Sequence, residues 1–253
     1  MPDPIQVRAM FGRIAGRYDL LNRVLTLGID RSWRRRVVRR ADEQLAAGAS
    51  DAGRSAADSV ATARVLDVCC GSGDLTLDFE RAGATAVGLD FTPELLERAV
   101  AKSDAKGKNV PFLHGDALDL PFAGVPFDAS SVAFGLRNVA DRRRCLREMG
   151  RVVRPGGWVY VLEFQVPKGF LGWCYRLYFE RLLPWIGGLV SRDDSAYVYL
   201  RDTVLAWPEA ETLCEEFAEE GLVECGFERM TFGILALHWG RVPAAAVPGA
   251  PCA

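Results

Sequence analysis

Gly71-Ser72-Gly73, Asp90 and Asp116 are the residues of this sequence whose types and spacing suit small-ligand chemistry. Two glycines around one serine let the backbone approach a ligand closely, and a helix opening just after them offers it free N–H groups. Asp90 is placed to accept hydrogen bonds from both hydroxyls of a ribose. Asp116, in Gly115-Asp116-Ala117, is placed to accept from an adenine amino group. Each acid also has a plainer reading, Asp90 as a cap for the helix near Thr92 and Asp116 as the closure of a turn. All three features follow apolar runs that read as strands. That shared placement favours a nucleotide site, because open parallel sheets bind ligands beyond the carboxyl ends of their strands.

The residues around the glycines separate the candidate nucleotides. A dinucleotide fingerprint asks for a third glycine, where this chain has Thr76, and Asp74 directly follows the second glycine. Negative charge beside a pyrophosphate is unfavourable. S-adenosylmethionine has no phosphate, carries a sulfonium and an ammonium group, and tolerates carboxylates such as Asp67 and Asp74. It is therefore the expected cofactor. An NAD-dependent oxidoreductase is the rival enzyme class, and it lacks a recognisable hydride site such as Tyr-x-x-x-Lys. A non-catalytic S-adenosylmethionine-binding regulator is the rival binding module.

The elements that must position these residues alternate. Val65-Leu66-Asp67-Val68 reads as a buried strand, Asp74 to Gly83 as a helix, Thr85 to Leu89 as a second strand, and Thr92-Pro93-Glu94 as a capped helix start. Val110 to His114, Phe127 to Phe134 and Trp158 to Phe164 read as further strands, with a helix over Asp141 to Val153 stopped by Pro155-Gly156-Gly157. Strands alternating with helices predict an α/β fold with a parallel sheet covered on both faces. Residues 41–63, rich in Ala, Ser, Asp and Gly, read as an exposed linker after a basic helical segment over residues 1–40.

Composition narrows the function classes. The chain has 253 residues, 49% hydrophobic and 25% charged, and a formal net charge of −2. Up to Arg40 ten arginines face three aspartates, whereas Glu209 to Glu228 holds eight glutamates and no other charge. So divided a charge gives no uniform polyanion-binding surface but leaves room for a local one; arginines without base-stacking aromatics are a weak argument for nucleic acid, and no nucleic-acid partner is expected. Seven scattered cysteines with only Cys69-Cys70 adjacent, and two histidines, do not form metal-ligand spacing, so no metal is expected. No signal peptide and no apolar run of about 18 residues is apparent, and the expected location is cytoplasmic, with at most a membrane-surface contact.

Four segments resemble class I methyltransferases and, more narrowly, the quinone-biosynthesis C-methyltransferases. They are Met10-Phe11 with Ile14-Ala15 and Tyr18-Asp19 to Asn22; Val65 to Thr76; Phe134-Gly135-Leu136-Arg137-Asn138-Val139 with Asp141; and Arg154-Pro155-Gly156-Gly157 to Leu162-Glu163-Phe164. The third is the most specific. The resemblance implies a Rossmann-like, seven-stranded, mostly parallel sheet whose last strand, near Ile234 to Trp239, is antiparallel, with helices N-terminal to it. It implies a methyltransferase domain over residues 64–240, a substrate or lid insertion at 166–222, and a tail at 241–253. The cofactor-binding set expected is Tyr18, Asp67, Gly71, Ser72, Gly73, Asp90, Phe91, Asp116 and Ala117. The family's serine before Phe134 is Ala133 here, so any hydroxyl contact from that position is absent.

The reaction implied is methylation of a ring carbon of a prenylated quinol. The form of Cys69-Cys70-Gly71-Ser72-Gly73-Asp74 points first to 2-phytyl-1,4-naphthoquinol, with demethylmenaquinol or a methoxy-polyprenyl benzoquinol as the alternatives. Arg137 is expected to stabilise the quinolate, unless it only pairs with Asp141, and Tyr197 to line a lid over the quinol. His238, inside an apolar strand, reads as a core histidine. Residues 170–190, with only Arg176, Glu180 and Arg181 charged, are expected to line a tail tunnel, rest among headgroups or pack as a core helix. Arg31, Arg34, Arg35, Arg39 and Trp33 are expected to add attraction to anionic lipid. The oligomeric state stays open, a homodimer being one option.

Overall fold

Val65 and Leu66 point to opposite faces of the same strand, and each face finds its own layer of helices. The computed structural model describes residues 3–26, 28–51, 59–124, 127–169, 172, 177 and 195–244. β1 (Arg64–Val68), β2 (Thr85–Asp90), β3 (Phe112–His114), β4 (Phe127–Ala133), β5 (Val153–Phe164), β6 (Val223–Met230) and β7 (Leu235–Arg241) form one sheet in the order β3-β2-β1-β4-β5-β7-β6. Six strands run parallel and β7 runs antiparallel to both its neighbours. This is the expected seven-stranded fold. The chain order reverses between β1 and β4, which opens a crevice at their carboxyl ends.

One face is covered by α6 (Arg142–Arg151) and α8 (Ala210–Glu219), where Leu146, Met149, Leu213 and Phe217 pack on Leu66, Val132 and Val161. The other is covered by α3 (Asp30–Asp51) and α4 (Asp74–Arg81), where Val37 and Phe79 pack with Val65, Tyr160 and Leu237. Each large aliphatic or aromatic side chain so buried contributes roughly 1.5–3 kcal/mol. Because α8 belongs to this central layering, the expected insertion at 166–222 ends before it; α7 (Ser195–Leu205) precedes it, and most of 170–194 lies outside the described residues.

The expected linker at 41–63 is corrected. α3 continues to Asp51 because Trp33, Val37, Ala41 and Leu45 recur every fourth residue and form one buried stripe. Asp42 then accepts a hydrogen bond from the Val60 amide at 3.1 Å, tying the helix to the approach of β1. Residues 52–58 lie outside the described set. β5 also starts earlier than expected: Pro155-Gly156-Gly157 sits inside it, opposite a register shift between Phe127 and Ala129. The tail expected at 241–253 begins with residues still in the sheet region. Arg241 ends β7, and Val242 exchanges backbone hydrogen bonds with Gly156 and Gly157 at 2.9 Å.

Among the described residues the basic N-terminal segment meets the acidic 209–228 segment at Glu228, while most of the other glutamates pair elsewhere. Arg36 and Arg40 pair with Glu228 at 2.7 and 3.0 Å, and Arg142, Arg143 and Arg147 of α6 pair with Glu216, Glu219 and Glu220 beside α8. α1 (Pro4–Ile14), started by Asp3, which accepts from the Ile5 amide at 3.0 Å, and α2 (Tyr18–Leu25) lie over the carboxyl edge of the sheet near α5 (Pro93–Asp104).

Candidate active site

β1 ends in a strained turn. Cys69 has φ 53°, Gly71 55° and Gly73 80°, and a non-glycine residue held at positive φ marks over-determined backbone. The two glycines serve different ends. A Cβ on Gly71 would meet only the Tyr18 ring, at 3.7 Å, so its backbone stays open to the crevice. A Cβ on Gly73 would meet Phe112 at 2.8 Å and Ala99 at 2.9 Å, so that glycine lets β3 and α5 close on the turn. Across the crevice Phe134, at the end of β4, also has positive φ (60°).

The crevice is a cleft of about 810 Å³ counted with its open mouth, lined by the ends of β1, β2 and β4, the β3–β4 connection and the N-terminal helices. Tyr18, Gly71, Asp90, Phe91, Asp116 and Ala117 all line it, as does Ala133. Asp90 is nearly buried: one carboxylate oxygen accepts from the Gly71 amide and the other from the Thr92 amide, both at 2.8 Å. Burial pushes its carboxyl up, opposed by those amide bonds. Asp90 thus fixes the glycine turn and the start of α5, whose Thr92 makes no side-chain cap bond, and it also lines the cleft. Asp116 closes a turn through the Leu118 amide at 2.9 Å and still faces the cleft. Both plainer readings and the ligand-facing placement therefore hold together. Phe91 lies against His114 in a stacked pair, 6.4 Å between centroids.

Three expected cofactor residues sit elsewhere. Asp67 is buried in the sheet, accepting from Thr76 at 2.7 Å and Ser131 at 3.2 Å, and burial pushes its carboxyl up to about 7. Thr76, read above as a missing glycine, is thus the partner of a core acid. Gly73 faces α5 and β3. Ser72 turns its hydroxyl away, donating to Asp19 at 2.6 Å and accepting from Lys102 at 2.8 Å. Lys102 also holds Asp19 and Asp74, each at 2.8 Å, so Asp74 is neutralised beside the turn. Burial would raise the Asp19 carboxyl, but the hydrogen bonds from Lys102 and Ser72 outweigh it and hold it low. Lys102 and Asp19 carry no motif; only the fold brings them to Ser72.

Asp90 and Asp116 are the only charged side chains lining the cleft, among the described residues. A site with acids and no lysine or arginine suits a cation bearing hydroxyls and repels a pyrophosphate. Phe91, Leu118 and Val139 supply apolar wall for an adenine-like ring. These residues fit S-adenosylmethionine, and the acids lining the cleft are Asp90 and Asp116, not Asp67 or Asp74. Among the described residues no group of three or more His, Cys, Asp or Glu is placed to hold a metal ion.

Arg137 lines a second cleft, of about 1220 Å³ counted with its mouth, between the short turn Leu136–Asn138, the start of α6, and α7 with Trp207 and Pro208. Its partner is Glu163 on β5, fully buried, at 2.6 Å, not Asp141, which caps α6 through the Arg144 amide at 3.0 Å. A lone acid in the apolar run ending β5 was the available signal for that pair. Tyr199 donates to Asn138 Oδ1 at 3.0 Å, and burial pushes its phenol up to about 12. Asn138, Val139 and Ala140 line the first cleft, and Val139 and Ala140 line both. The side chain of Tyr197 lies outside the described residues, as does most of 170–190. His238 is buried, with Nε2 3.0 Å from the Ala210 carbonyl, and burial pushes its imidazole down to about 4. Trp33 is buried and donates to Thr231 at 2.8 Å, and Arg34 is held by Asp30, Asp74 and Asp78, so neither is available to a lipid surface. No described helix is long and apolar enough to cross a membrane.

Residues 3–242 match the model of the ubiE/COQ5 methyltransferase family. The chain belongs to this family. This methyltransferase is 46% identical over 237 residues to a demethylmenaquinone methyltransferase of Thermus thermophilus, covering 92% of this chain and all of that protein. It is 44% identical over 239 residues to a demethylmenaquinone methyltransferase of Deinococcus radiodurans, covering 92% and 91%. Among solved structures it resembles an S-adenosylmethionine-dependent methyltransferase of Thermotoga maritima described as a possible histamine N-methyltransferase. There the TM-score is 0.56 at 17% identity, covering 92% of this chain and 99% of that one, a likeness of fold alone.

Proposed function

We propose that this methyltransferase moves the methyl group of S-adenosylmethionine to a ring carbon of demethylmenaquinol, giving menaquinol. The observation that carries the reading is the pairing of an acid-only cleft, suited to a sulfonium cofactor, with a second cleft that shares its Val139–Ala140 wall. The names of the relatives favour the menaquinol precursor over the 2-phytyl naphthoquinol implied by the form of the glycine turn. The cofactor supplies an electrophilic methyl group on sulfur.

The chain's part is positioning and charge. Asp90 and Asp116 orient the cofactor, and the Val139–Ala140 wall sets its distance to the ring; near-attack geometry removes entropy from the barrier. As the phenolic proton passes to water, negative charge would grow on oxygen and be delivered to the neighbouring carbon, which would then take the methyl group, the sulfonium leaving as the neutral thioether. Arg137 stabilises that oxygen, and Glu163 fixes the guanidinium. The ring carbon would then give its proton to water, which restores aromaticity.

Labelled-methyl transfer to reduced demethylmenaquinol, 2-phytyl-1,4-naphthoquinol and 2-methoxy-6-polyprenyl-benzoquinol, side by side, tests this. Label should enter demethylmenaquinol with the highest kcat/KM. Label in the benzoquinol alone, or in none, would overturn the assignment and leave the cofactor cleft standing.

A further inference from the structure

Two neighbouring pairs of residues divide their work in the same way. Tyr18 lines the cofactor cleft and Asp19, next in sequence, does not; Gly71 lines it and Ser72 does not. Tyr18 lies across the open backbone of Gly71, its ring 3.7 Å from where a Cβ there would stand. With Pro4, Val7 and Phe11 it makes one wall of the cleft, and Phe11 meets the Tyr18 ring edge-on at 6.0 Å. That wall comes from the N-terminal helices and the opposite walls from the sheet, so something must hold the two together.

The second members of the two pairs meet each other. Asp19 accepts from the Ser72 hydroxyl at 2.6 Å, and the Lys102 ammonium donates to Asp19, Ser72 and Asp74, each at 2.8 Å. Those three bonds use all three N–H donors of the lysine. Arg98 adds a cation 3.5 Å from Asp19, and Arg34 one 3.5 Å from Asp74. The cluster thus joins α2, the turn ahead of α4, and α5. The side chains of Asp19 and Lys102 are only 22% and 23% exposed, so salt and water screen these bonds less than they screen a surface pair. Bonds with an ionised partner are also stronger than neutral ones.

We infer that Asp19 and Lys102 are positioning residues of the cofactor site: their cluster clamps the Phe11–Tyr18 wall onto the Gly71 turn and so sets how long S-adenosylmethionine stays bound. Neither side chain lines the cleft; the effect passes from Asp19 to Tyr18 and from Ser72 to Gly71. The inference does not depend on which quinol accepts the methyl group.

The test follows release of labelled S-adenosylmethionine into excess unlabelled cofactor, in the parent enzyme, Asp19→Asn, Lys102→Met and the double variant. Each single variant should raise the release rate about tenfold or more, with a smaller change in the association rate. The double variant should release no faster than the faster single one, because both changes break one unit. Arg154→Met breaks the pair with Asp128 at the opposite edge of the sheet and should leave the release rate at the parent value. Unchanged release in both single variants, multiplied effects in the double one, or an equal rise in Arg154→Met would overturn the inference. In the unmodified enzyme the coupling must be reciprocal: a wall that retains the cofactor is itself held by it. Hydrogen exchange at the amides of α2 should therefore slow severalfold when S-adenosylmethionine is added. Exchange unaltered by the cofactor would overturn the inference even if a variant failed to fold.

Discussion

The two clefts that meet along Val139 and Ala140 treat charge in opposite ways. In the first, Asp90 and Asp116 face the ligand space with no basic side chain lining it among the described residues. In the second, among the described residues, the charged side chains are each held by an opposite charge or a helix amide. The difference teaches that the first cleft presents uncompensated negative charge, as a cation requires, whereas the second presents little net charge. A methyl transfer from sulfonium to an aromatic carbon needs both, side by side.

Removing the arginine of the second cleft should break this comparison most severely. Arg137→Ala is expected to lower kcat by about 10²–10³, as loss of a positioned charge stabiliser does, with cofactor affinity nearly unchanged by calorimetry. The same change strands a fully buried Glu163, so a stability loss of about 3–5 kcal/mol in urea unfolding should accompany it. Arg137→Ala with Glu163→Gln should recover much of the stability and none of the rate. Recovery of the rate would reduce Arg137 to a structural role.

Asp90→Asn comes next. It keeps the shape but removes the charge and leaves an amide nitrogen that cannot accept from both Gly71 and Thr92. Affinity for S-adenosylmethionine should fall by roughly 10- to 100-fold, consistent with about 1.5–3 kcal/mol for a hydrogen bond to a charged group. Binding of a naphthoquinol to the second cleft should be left alone; a parallel loss there would show that the clefts are not separable.

The smallest effect sharpens the contrast with a buried acid that faces neither cleft. Asp67 is held up at about 7 against 3.8 when unfolded, so the folded protein binds the extra proton. Its stabilising contribution is complete below about 3.8 and is lost as pH rises through about 7. Asp67→Asn should therefore gain on the parent by about 2 kcal/mol in unfolding free energy between pH 5 and pH 8. A constant difference across that range would place the Asp67 carboxyl at an ordinary value.

Much of the site was legible because strand ends are legible. Val65 to Val68 followed by Gly71-Ser72-Gly73, and Leu89-Asp90 ahead of Thr92-Pro93, mark two βα junctions by local pattern alone. Asp67 and Ser72 were misplaced for a different reason: a side chain's direction depends on strand face and on what packs opposite it. Asp67 shares its face with Val65, against α4, and Thr76 is what meets it there. The stripe of Trp33, Val37, Ala41 and Leu45 was present in the sequence, but its alanine-, serine- and glycine-rich second half hid it behind composition. Glu163 was visible as an acid in an apolar run, whereas Lys102 and Trp207 gave no local sign.

By itself the sequence determined the alternating α/β fold, the glycine turn with its strand-end acids, and the family, because each is written in short-range spacing of apolar and special residues. The tertiary structure decided which acids face the cleft, that Arg137 belongs to Glu163, and that α7 and Trp207 wall a second cleft. Those facts join residues from about 20 to about 70 positions apart, and such pairings are set by how helices pack on the sheet, which no local pattern records.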